Sequence, residues 1–575
     1  MKNKIKKILP PFAITLIRAL RQRATLAVLI FLLFVGMNAL KISLFYCFLV
    51  DVPVMSSFDL FFQVLFKNIV ISMFIFIFLT WPRQWYWLAG FYCLRAFYMF
   101  VNLSYHFSVG GILRFSQYLG LYTEATELVK NTPIPLDLRM WIVVADLPFL
   151  LLLLIVYSRF SRVNRSLLFR PILVCTVITV LTAIILWNPL KPLSEQMVAD
   201  PAASDVAMIK SQGLVSFTVM DILSHRKTPD FALSQRYGRM ITSKGTGRPH
   251  PNIVCIQVES MDANIVDRQF HGVFVTPFLH KLSQECIYFP YALSYHEAGL
   301  TTDCEVSVIN SLEPLADFPS IKLHNYRYIN SMLKRFNITK YQTIAFHGNK
   351  GIFDNRTEAY DKMGFQKFYD MTAMGLREIS WGAPDGAVFD FVKNKLRAQQ
   401  EPFLYYIITM SSHEPFNLVN PYYRSPQFKT GTDQHTLNYF NSLSYVDKEL
   451  RGLIASIRKL RPNSYIFMYG DHTPITDVGS YKKASFLYDD RLFEFVPLFI
   501  ITPDSLVYHE NECVPSFVDV APTALYASGI PFRMRARGVN LLDLPLQDGV
   551  LSMRGSTYSR AELFQEVMNE KKNWH

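Results

Sequence analysis

Polar side chains of types that bind metal ions or move protons follow four apolar runs in the carboxyl-terminal half of this sequence. Glu259 follows NIVCIQV, His347 follows YQTIAF, and His413 comes shortly after FLYYIIT. Asp471 and His472 stand side by side after the run YIFMYG. A lone histidine or aspartate after a strand usually belongs to a turn or a cap. Four apolar runs that each lead into such a residue indicate one shared site.

The chemistry that these residues support is metal binding. Glu259, Asp471 and His472 offer two carboxylates and an imidazole, a mixed oxygen and nitrogen set that suits Mn²⁺ or Zn²⁺ and leaves room for another ligand. We therefore predict a divalent metal cofactor, Mn²⁺ or Zn²⁺.

The segment HEAGLTTDCEVSVINSL, residues 296–312, supplies a candidate nucleophile. Gly299 gives the backbone freedom before a helix that is predicted to begin near Thr301 or Thr302. A hydroxyl at a helix N-terminus beside a divalent cation is placed to act as a nucleophile, because the cation stabilises its alkoxide. The alternative is a cap, with either threonine at the N-cap and Glu305 completing a capping box. The metal set at the same edge favours the nucleophile.

The elements that must position these residues alternate between apolar runs of strand length and helix-length patterns. The predicted strands are 252–258, 341–346, 403–409, 465–469 and 495–501. Such alternation predicts an α/β domain with a mainly parallel sheet that is covered on both faces. Ligands of these sheets bind at the carboxyl ends of the strands, which is where the polar residues stand.

Residues 1–189 have a different composition, dominated by leucine, isoleucine, valine and phenylalanine. They predict an α-helical membrane domain of about five spans, since a span needs roughly 20 apolar residues. The predicted spans are 25 to about 50, 68–81, 85–101, 141–157 and 171–187. The first is expected to be retained rather than cleaved as a signal peptide.

Basic residues set the orientation of these spans and account for much of the net charge of +12. Lysines and arginines crowd the amino terminus and the predicted loop SRFSRVNRSLLFR, which places both in the cytoplasm. An odd number of spans then puts the following domain outside. No basic stripe stands out in that domain, so nucleic acid is not an expected partner.

The predicted domains follow from this organisation. Residues 190–250 form a helical linker, residues 251–545 the exported catalytic domain and residues 546–575 a C-terminal tail. The seven cysteines show no CxxC spacing, which argues against a thiolate zinc site. The four cysteines beyond residue 250 leave disulfide pairing open.

Taken together, these motifs resemble the lipoteichoic acid synthase and phosphoglycerol transferase family, within the alkaline phosphatase and sulfatase superfamily. The likeness covers about residues 250–540 and rests on VESM, VTPFLHKL, GLTTDCEVSVINSLEPL, HGNKGIFDNR, SSHEPF, YGDHTPI and VDVAPTALYASGIP. Spans before an exported domain also match the family. The resemblance implies a multi-pass protein of the bacterial inner (cytoplasmic) membrane with an extracytoplasmic, periplasmic catalytic domain.

The resemblance also implies roles for individual residues. Glu259, Thr301, Asp471 and His472 would bind the metal. Thr301 would be the nucleophile rather than Thr302, because the family's nucleophile follows a Gly-x pair. The phosphate pocket would be lined by His347, Arg356 and His413. Phe353 departs from the family, which often has an indole there, and leaves the glycerol contact open.

The implied reaction is a ping-pong transfer. Thr301 would take phosphoglycerol from a phospholipid donor, phosphatidylglycerol, and pass it to an envelope glycan or polyglycerolphosphate acceptor. A phosphoethanolamine transferase is the main alternative, with Glu305 or Glu414 meeting the ammonium group. A sulfatase is disfavoured because TTDCE lacks the Pro and Arg of the sulfatase nucleophile motif. A catalytically inactive membrane scaffold is disfavoured because every expected metal and nucleophile position is filled.

Overall fold

The structure is a computed structural model, and it describes the chain in separate stretches. These are 32–34, 36–38, 40–42, 44–45, 48, 85–109, 138–152, 238–247, 250–295, 299–315, 319–323, 326–379, 382–416, 427–474, 478–489, 491–553 and 556–574. The chain divides into two compact units, Met1–Arg226 and Lys227–His575.

The described part of the first unit is helical. Helix α1 spans Trp85–Val109 and helix α2 spans Leu138–Ala145. Among the described residues, no helix combines the length and the hydropathy that a bilayer crossing requires. The predicted spans 68–81 and 171–187 lie outside the described residues. The five spans therefore stay a prediction.

Charged residues that interrupt the predicted spans have partners within this unit. The ammonium group of Lys41 lies 2.5 Å from a carboxylate oxygen of Asp146. Arg95 donates a hydrogen bond to Asn38 at 3.0 Å. Lys41 and Arg95 are buried, and these contacts supply the partners that a charge in apolar surroundings needs.

The second unit alternates strands and helices. In chain order its strands are β1 (Arg239–Lys244), β2 (Asn252–Val258), β3 (Gln269–Phe270), β4 (Val273–Phe274), β5 (Ile287–Ser294), β6 (Gln342–His347), β7 (Lys367–Tyr369), β8 (Phe403–Ile408), β9 (Ser464–Gly470), β10 (Ser485–Tyr488), β11 (Arg491–Ile501), β12 (Tyr508–His509), β13 (Pro531–Ala536), β14 (Val550–Met553) and β15 (Ser556–Ser559). Its helices are α3 (Pro277–Ser283), α4 (Thr301–Asn310), α5 (Met332–Ile338), α6 (Arg356–Met363), α7 (Asp385–Ala398), α8 (Gln434–Leu460), α9 (Val520–Ser528) and α10 (Arg560–Glu570).

A nine-stranded sheet forms the centre of this unit, in the order β12-β5-β11-β9-β2-β8-β6-β7 with β10 beside β11. Strands β9, β2, β8, β6 and β7 are parallel neighbours. Strand β11 is antiparallel to both β9 and β5.

The prediction of a mainly parallel sheet holds for β9, β2, β8, β6 and β7, but the whole sheet is mixed. The predicted strand 495–501 lies in β11, and it runs antiparallel to β9. Parallel neighbours need a long crossover, usually a helix. Between β9 and β11 the described residues include a short strand, β10, and no helix. Strand β11 returns beside β9 in the opposite direction.

Two apolar cores cover the faces of the sheet, and strand β2 contributes to both. All seven residues of β2 are buried. Ile253 and Cys255 pack into one core, with residues of α4, α5 and α9. Val254 and Ile256 pack into the other, with residues of α3, α7 and α8. Side chains of a strand alternate between faces, so a strand covered on both sides reads as a continuous apolar run.

Segments at both ends of the predicted catalytic domain add to this fold. Strand β1 lies inside the predicted linker and pairs antiparallel with β13. The predicted tail forms β14, β15 and α10, whose apolar side chains join the core of α4 and α9. The four cysteines of this unit, Cys255, Cys286, Cys304 and Cys513, are free and buried, so they form no disulfide.

Candidate active site

Three buried side chains that can bind a metal meet at the carboxyl-terminal edge of the sheet. Glu259 directly follows β2, and Asp471 and His472 directly follow the neighbouring parallel strand β9. Their ligand atoms all lie within 4.8 Å of one another. The parallel pairing of β2 with β9 produces this meeting, because it places the ends of both strands at the same edge.

Backbone and side-chain hydrogen bonds fix the two carboxylates. One oxygen of Asp471 accepts bonds from the backbone N–H groups of Ser260 and His472, both at 2.8 Å. Ser260 has a φ of 51°, in the left-handed region that bends the chain sharply after Glu259. The backbone N–H of Glu259 donates to the hydroxyl of Thr409 at 2.9 Å. The ligand atoms are therefore preorganised.

The imidazole of His472 presents one defined nitrogen to the carboxylates. Its Nδ1 lies 2.7 Å from the carbonyl oxygen of Thr473. A carbonyl only accepts, so Nδ1 carries the proton. Nε2 then lies 3.2 Å from a Glu259 oxygen and 3.7 Å from an Asp471 oxygen. A backbone bond at the other ring nitrogen is the usual arrangement of a metal-binding histidine.

The electrostatics of the cluster favour a bound cation. Burial opposes ionisation of Glu259, but the positive charge of His472 outweighs it and holds the pKa of Glu259 below its ordinary value. Burial and the charge of Glu259 raise the pKa of Asp471. Burial acts to lower the pKa of His472, yet the charges of Asp471 and Glu259 raise it overall. The chemistry of this donor set fits a divalent metal ion.

Thr301 faces the same cluster as the first residue of α4. Its hydroxyl donates to a Glu259 oxygen at 3.1 Å and lies 3.5 Å from Nε2 of His472. Thr302 instead turns its hydroxyl to the carbonyl of Gly299 at 2.8 Å. Of the two candidate threonines, Thr301 is the one in contact with the side chains predicted to bind the metal.

The turn that presents Thr301 has an unusual backbone. Leu300 has φ 47° and ψ −116°, a conformation that costs energy for any residue with a side chain. The N–H of Gly299 donates to Asp303 at 2.7 Å, and a Cβ at Gly299 would lie 2.2 Å from the same carboxylate. Only glycine fits there. Such strain is common where a turn must expose a reactive group.

Arg356, predicted for the phosphate pocket, is bonded to a residue of helix α4, Glu305. Its Nε and Nη2 donate to one oxygen of Glu305 at 3.0 and 2.8 Å. Tyr360 donates to the other oxygen at 2.6 Å. All three side chains are buried. Glu305 therefore positions Arg356 and does not complete a capping box with a threonine of α4.

The two remaining predicted pocket residues are histidines. Nδ1 of His347 has no hydrogen-bond partner among the described residues. Burial and the charge of Arg356 lower the pKa of His347 to about 3, so its imidazole is neutral near pH 7. His413 bonds through Nδ1 to the carbonyl of Glu414 at 2.7 Å, and its charge contributes to the low pKa of Glu259. Phe353 belongs to the short 3₁₀ turn before Arg356.

Sequence reasoning missed residues that support the site from inside the fold. Gln257 lies within β2, and its amide donates to the backbone carbonyl of Thr301 at 3.0 Å. Thr409 accepts a bond from the backbone of Glu259. Glu305, which the sequence predicts as a cap or as a partner of an ammonium group, instead holds Arg356. A glutamine inside the apolar run NIVCIQV was the available signal, since a buried amide needs partners.

At the carboxyl-terminal edge of the mixed sheet, the Thr301 hydroxyl meets two carboxylates and an imidazole that can bind a metal ion. Residues 251–530 match the family model described as Sulfatase, in agreement with the superfamily that the motifs predict.

The similarity to lipoteichoic acid synthases that the motifs predict is confirmed. Lipoteichoic acid synthase 2 of Bacillus subtilis is 31% identical over 299 residues, which are 48% of this chain and 45% of that protein. Lipoteichoic acid synthase of Staphylococcus aureus is 27% identical over 344 residues, 56% of this chain and 52% of that protein. The chain thus spans about half the length of these curated relatives.

One solved structure is similar over most of the chain. It is the integral membrane protein lipooligosaccharide phosphoethanolamine transferase A of Neisseria meningitidis, with a TM-score of 0.55 and 12% identity. The match covers 88% of this chain and 96% of that one. At this identity the likeness concerns the fold.

Proposed function

We propose that this protein is a membrane-bound, metal-dependent transferase that moves phosphoglycerol from phosphatidylglycerol to a hydroxyl of an envelope glycan or of polyglycerolphosphate. One observation carries the proposal: the Thr301 hydroxyl lies 3.1 Å from Glu259 and 3.5 Å from His472, inside the metal-binding cluster. The similarity to lipoteichoic acid synthases supports the class of transferred group.

Glu259, Thr301, Asp471 and His472 would hold the metal, with Mn²⁺ favoured over Zn²⁺ and Mg²⁺. When bound, the ion lowers the pKa of the threonine hydroxyl and offsets negative charge on the transferred phosphate. The protein supplies the orientation of that hydroxyl, since the turn at Gly299 and the start of α4 fix its position.

The first half of the reaction transfers the group to the enzyme. The Thr301 oxygen forms a bond to phosphorus while the bond from phosphorus to the diacylglycerol oxygen breaks. The threonine proton is lost to solvent, and the departing oxygen takes up a proton, so diacylglycerol leaves as an alcohol. Arg356 would bind the phosphate oxygens, as a planar guanidinium does well.

The second half returns the threonine. An acceptor hydroxyl loses its proton to solvent as its oxygen attacks phosphorus, the bond from phosphorus to Thr301 breaks, and the Thr301 oxygen takes up a proton. The neutral His347 would accept a hydrogen bond at Nδ1 from a hydroxyl of the glycerol or the acceptor. His413, near Glu259, would stabilise charge or move a proton.

The choice of phosphoglycerol over phosphoethanolamine rests on the charges of the pocket. An ammonium headgroup calls for a carboxylate, and Glu305 was one candidate. In the structure both oxygens of Glu305 are used by Arg356 and Tyr360. Glu414, the other candidate, is partly exposed, with one oxygen 3.7 Å from His435. The use of both Glu305 oxygens by Arg356 and Tyr360 favours the uncharged glycerol headgroup.

The proposal places the protein in the bacterial inner (cytoplasmic) membrane, with the catalytic domain on the extracytoplasmic, periplasmic side. The predicted spans and the fold shared with an integral membrane transferase support this location. A donor that stays in the bilayer is served best by an enzyme that stays there as well.

Intact mass spectrometry tests the proposal. The purified full chain is incubated with Mn²⁺ and either phosphatidylglycerol or phosphatidylethanolamine. We expect a phosphoglycerol adduct that is absent from Thr301→Ala and present in Thr339→Ala, a matched change at the end of α5. A phosphoethanolamine adduct would overturn the donor. An adduct that survives in Thr301→Ala would overturn the nucleophile.

A further inference from the structure

Gln257 is a polar side chain in the central strand of the sheet. It is fully buried, and Ile256 and Val258 on either side belong to the apolar core. A buried amide is costly unless its oxygen and its N–H groups are bonded. The partners of Gln257 therefore explain why strand β2 carries a glutamine at that position.

Tyrosines from the two flanking strands hold the oxygen of this amide. Tyr406 of β8 donates its hydroxyl to the Gln257 oxygen at 2.7 Å. Tyr469 of β9 donates in turn to the Tyr406 hydroxyl at 3.2 Å. A tyrosine hydroxyl can donate or accept, so the other end of the amide decides the direction of this chain. The backbone carbonyl of Thr301 only accepts, so the Gln257 nitrogen faces that carbonyl and the Gln257 oxygen faces Tyr406.

That nitrogen reaches the metal and nucleophile residues. Nε2 of Gln257 donates to the backbone carbonyl of Thr301 at 3.0 Å and lies 3.5 Å from an oxygen of Asp471. Thr301 directly follows the strained residue Leu300. A strained turn relaxes unless its surroundings hold it. The hydrogen bond from the Gln257 side chain joins the first residue of α4 to the central strand β2.

We infer that Gln257 is a positioning residue for the nucleophile. It touches neither donor nor acceptor in the proposed reaction. It fixes the backbone at Thr301, so that the hydroxyl stays within reach of Glu259 and His472. This inference rests on the proposed function, in which Thr301 attacks phosphorus. Loss of the amide should slow the attack on phosphorus and leave the binding of substrate unchanged.

Two variants and a control test the inference. Gln257→Met keeps the approximate volume and removes the amide. Tyr406→Phe keeps the amide and removes the bond that holds its oxygen. Tyr341→Phe is the control, because Tyr341 is another buried tyrosine whose hydroxyl bonds a backbone carbonyl, that of Pro251 at 2.6 Å. Turnover is measured with phosphatidylglycerol and with bis(p-nitrophenyl) phosphate, a phosphodiester without lipid.

We expect Gln257→Met to lower kcat by about 100-fold with KM within about twofold, as for a misplaced reacting group. Tyr406→Phe should lower kcat by roughly tenfold, and Tyr341→Phe should keep wild-type kcat, although both lose one buried hydroxyl. A uniform structural effect would treat the two tyrosine variants alike.

The other possible results of these measurements also decide for or against the inference. Wild-type kcat in Gln257→Met overturns the inference, and so does a rise in KM with unchanged kcat. If Gln257→Met does not fold, the kcat of Tyr406→Phe against Tyr341→Phe decides alone. A wild-type enzyme that cleaves the diester but leaves phosphatidylglycerol intact contradicts the proposed donor, while the diester series still tests Gln257.

Discussion

At the scale of single residues, protons and a metal ion compete for the side chains of Glu259, Asp471 and His472. Without metal, the carboxylates raise the pKa of His472, and burial with the charge of Glu259 raises that of Asp471. Near pH 7 the cluster therefore retains protons that free side chains of these types would have lost. A metal ion needs a neutral imidazole and ionised carboxylates, so it must displace those protons.

This competition predicts proton release on metal binding. We expect at least one proton to be released per Mn²⁺ at pH 7, and apparent affinity to rise with pH up to the raised pKa values. Calorimetry in buffers of different ionisation enthalpy measures the number of protons. His472→Gln should bind more weakly and release fewer protons. Equal heats in all buffers would contradict this account of the cluster.

The end of strand β9 shows how an element positions a residue. Gly470 comes directly before Asp471, and a Cβ there would lie 2.1 Å from the backbone oxygen of Met261. A backbone atom cannot move aside as a flexible side chain can. Close approach of two chain segments thus places Asp471 beside Glu259, and glycine permits it.

Gly470→Ala should accordingly damage both stability and the site. We expect a loss of about 1–3 kcal/mol in the free energy of unfolding, the usual cost of overpacking, together with weaker Mn²⁺ binding. Gly452→Ala in α8 is the matched control, because nothing lies within 4 Å of its Cβ. It should stabilise the helix by up to about 1 kcal/mol. Denaturant unfolding and metal titration of both variants check the contrast.

The elements that the sequence reveals are those whose pattern is local. The predicted run 252–258 coincides with β2, and 341–346, 403–409 and 465–469 fall within one residue of β6, β8 and β9. These central strands are buried on both faces, and such burial leaves a continuous apolar run. Strand β5 was not predicted, because the run IYFPYALS contains a proline. Strand β1 was not predicted either, because its partner β13 is remote in the chain.

The same distinction applies to the site. Glu259, Asp471 and His472 stand just past visible strands, so their meeting could be predicted from strand ends alone. The role of Glu305 could not, because its partner Arg356 belongs to another helix. The role of Gln257 could not be predicted either, because in the sequence it is simply one position of a buried strand. Contacts between segments that are remote in sequence decide these roles, and no local pattern encodes them.

At the scale of the whole second unit, the last segment, residues 550–553 and 556–570, packs against the rest of the domain. Strands β14 and β15 and helix α10 follow the strands of the central sheet in sequence and pack Leu551, Leu563 and Phe564 into one of its apolar cores. The segment that composition alone labels a tail is therefore part of the folded unit. The stability of the second unit should therefore depend on the contact that joins this segment to the start of helix α9.

That contact is a buried ion pair between Arg560 and Asp519. Two guanidinium nitrogens of Arg560 donate to the two oxygens of Asp519, both at 2.9 Å, and one also donates to the carbonyl of Val514. Arg560→Gln would leave Asp519 buried without its counter-charge. We expect the free energy of unfolding to fall by about 3–5 kcal/mol, the cost of breaking such a pair from one side.

Arg533→Gln is the matched control for that variant, because Arg533 lies exposed on β13. Exposed substitutions usually change stability by less than about 0.5 kcal/mol. Denaturant unfolding of the full chain should therefore separate the two arginines clearly. Equal stability of both variants would show that the last segment is dispensable for folding. A large loss confined to Arg560→Gln would show that the catalytic unit needs residues up to α10 to hold its sheet together.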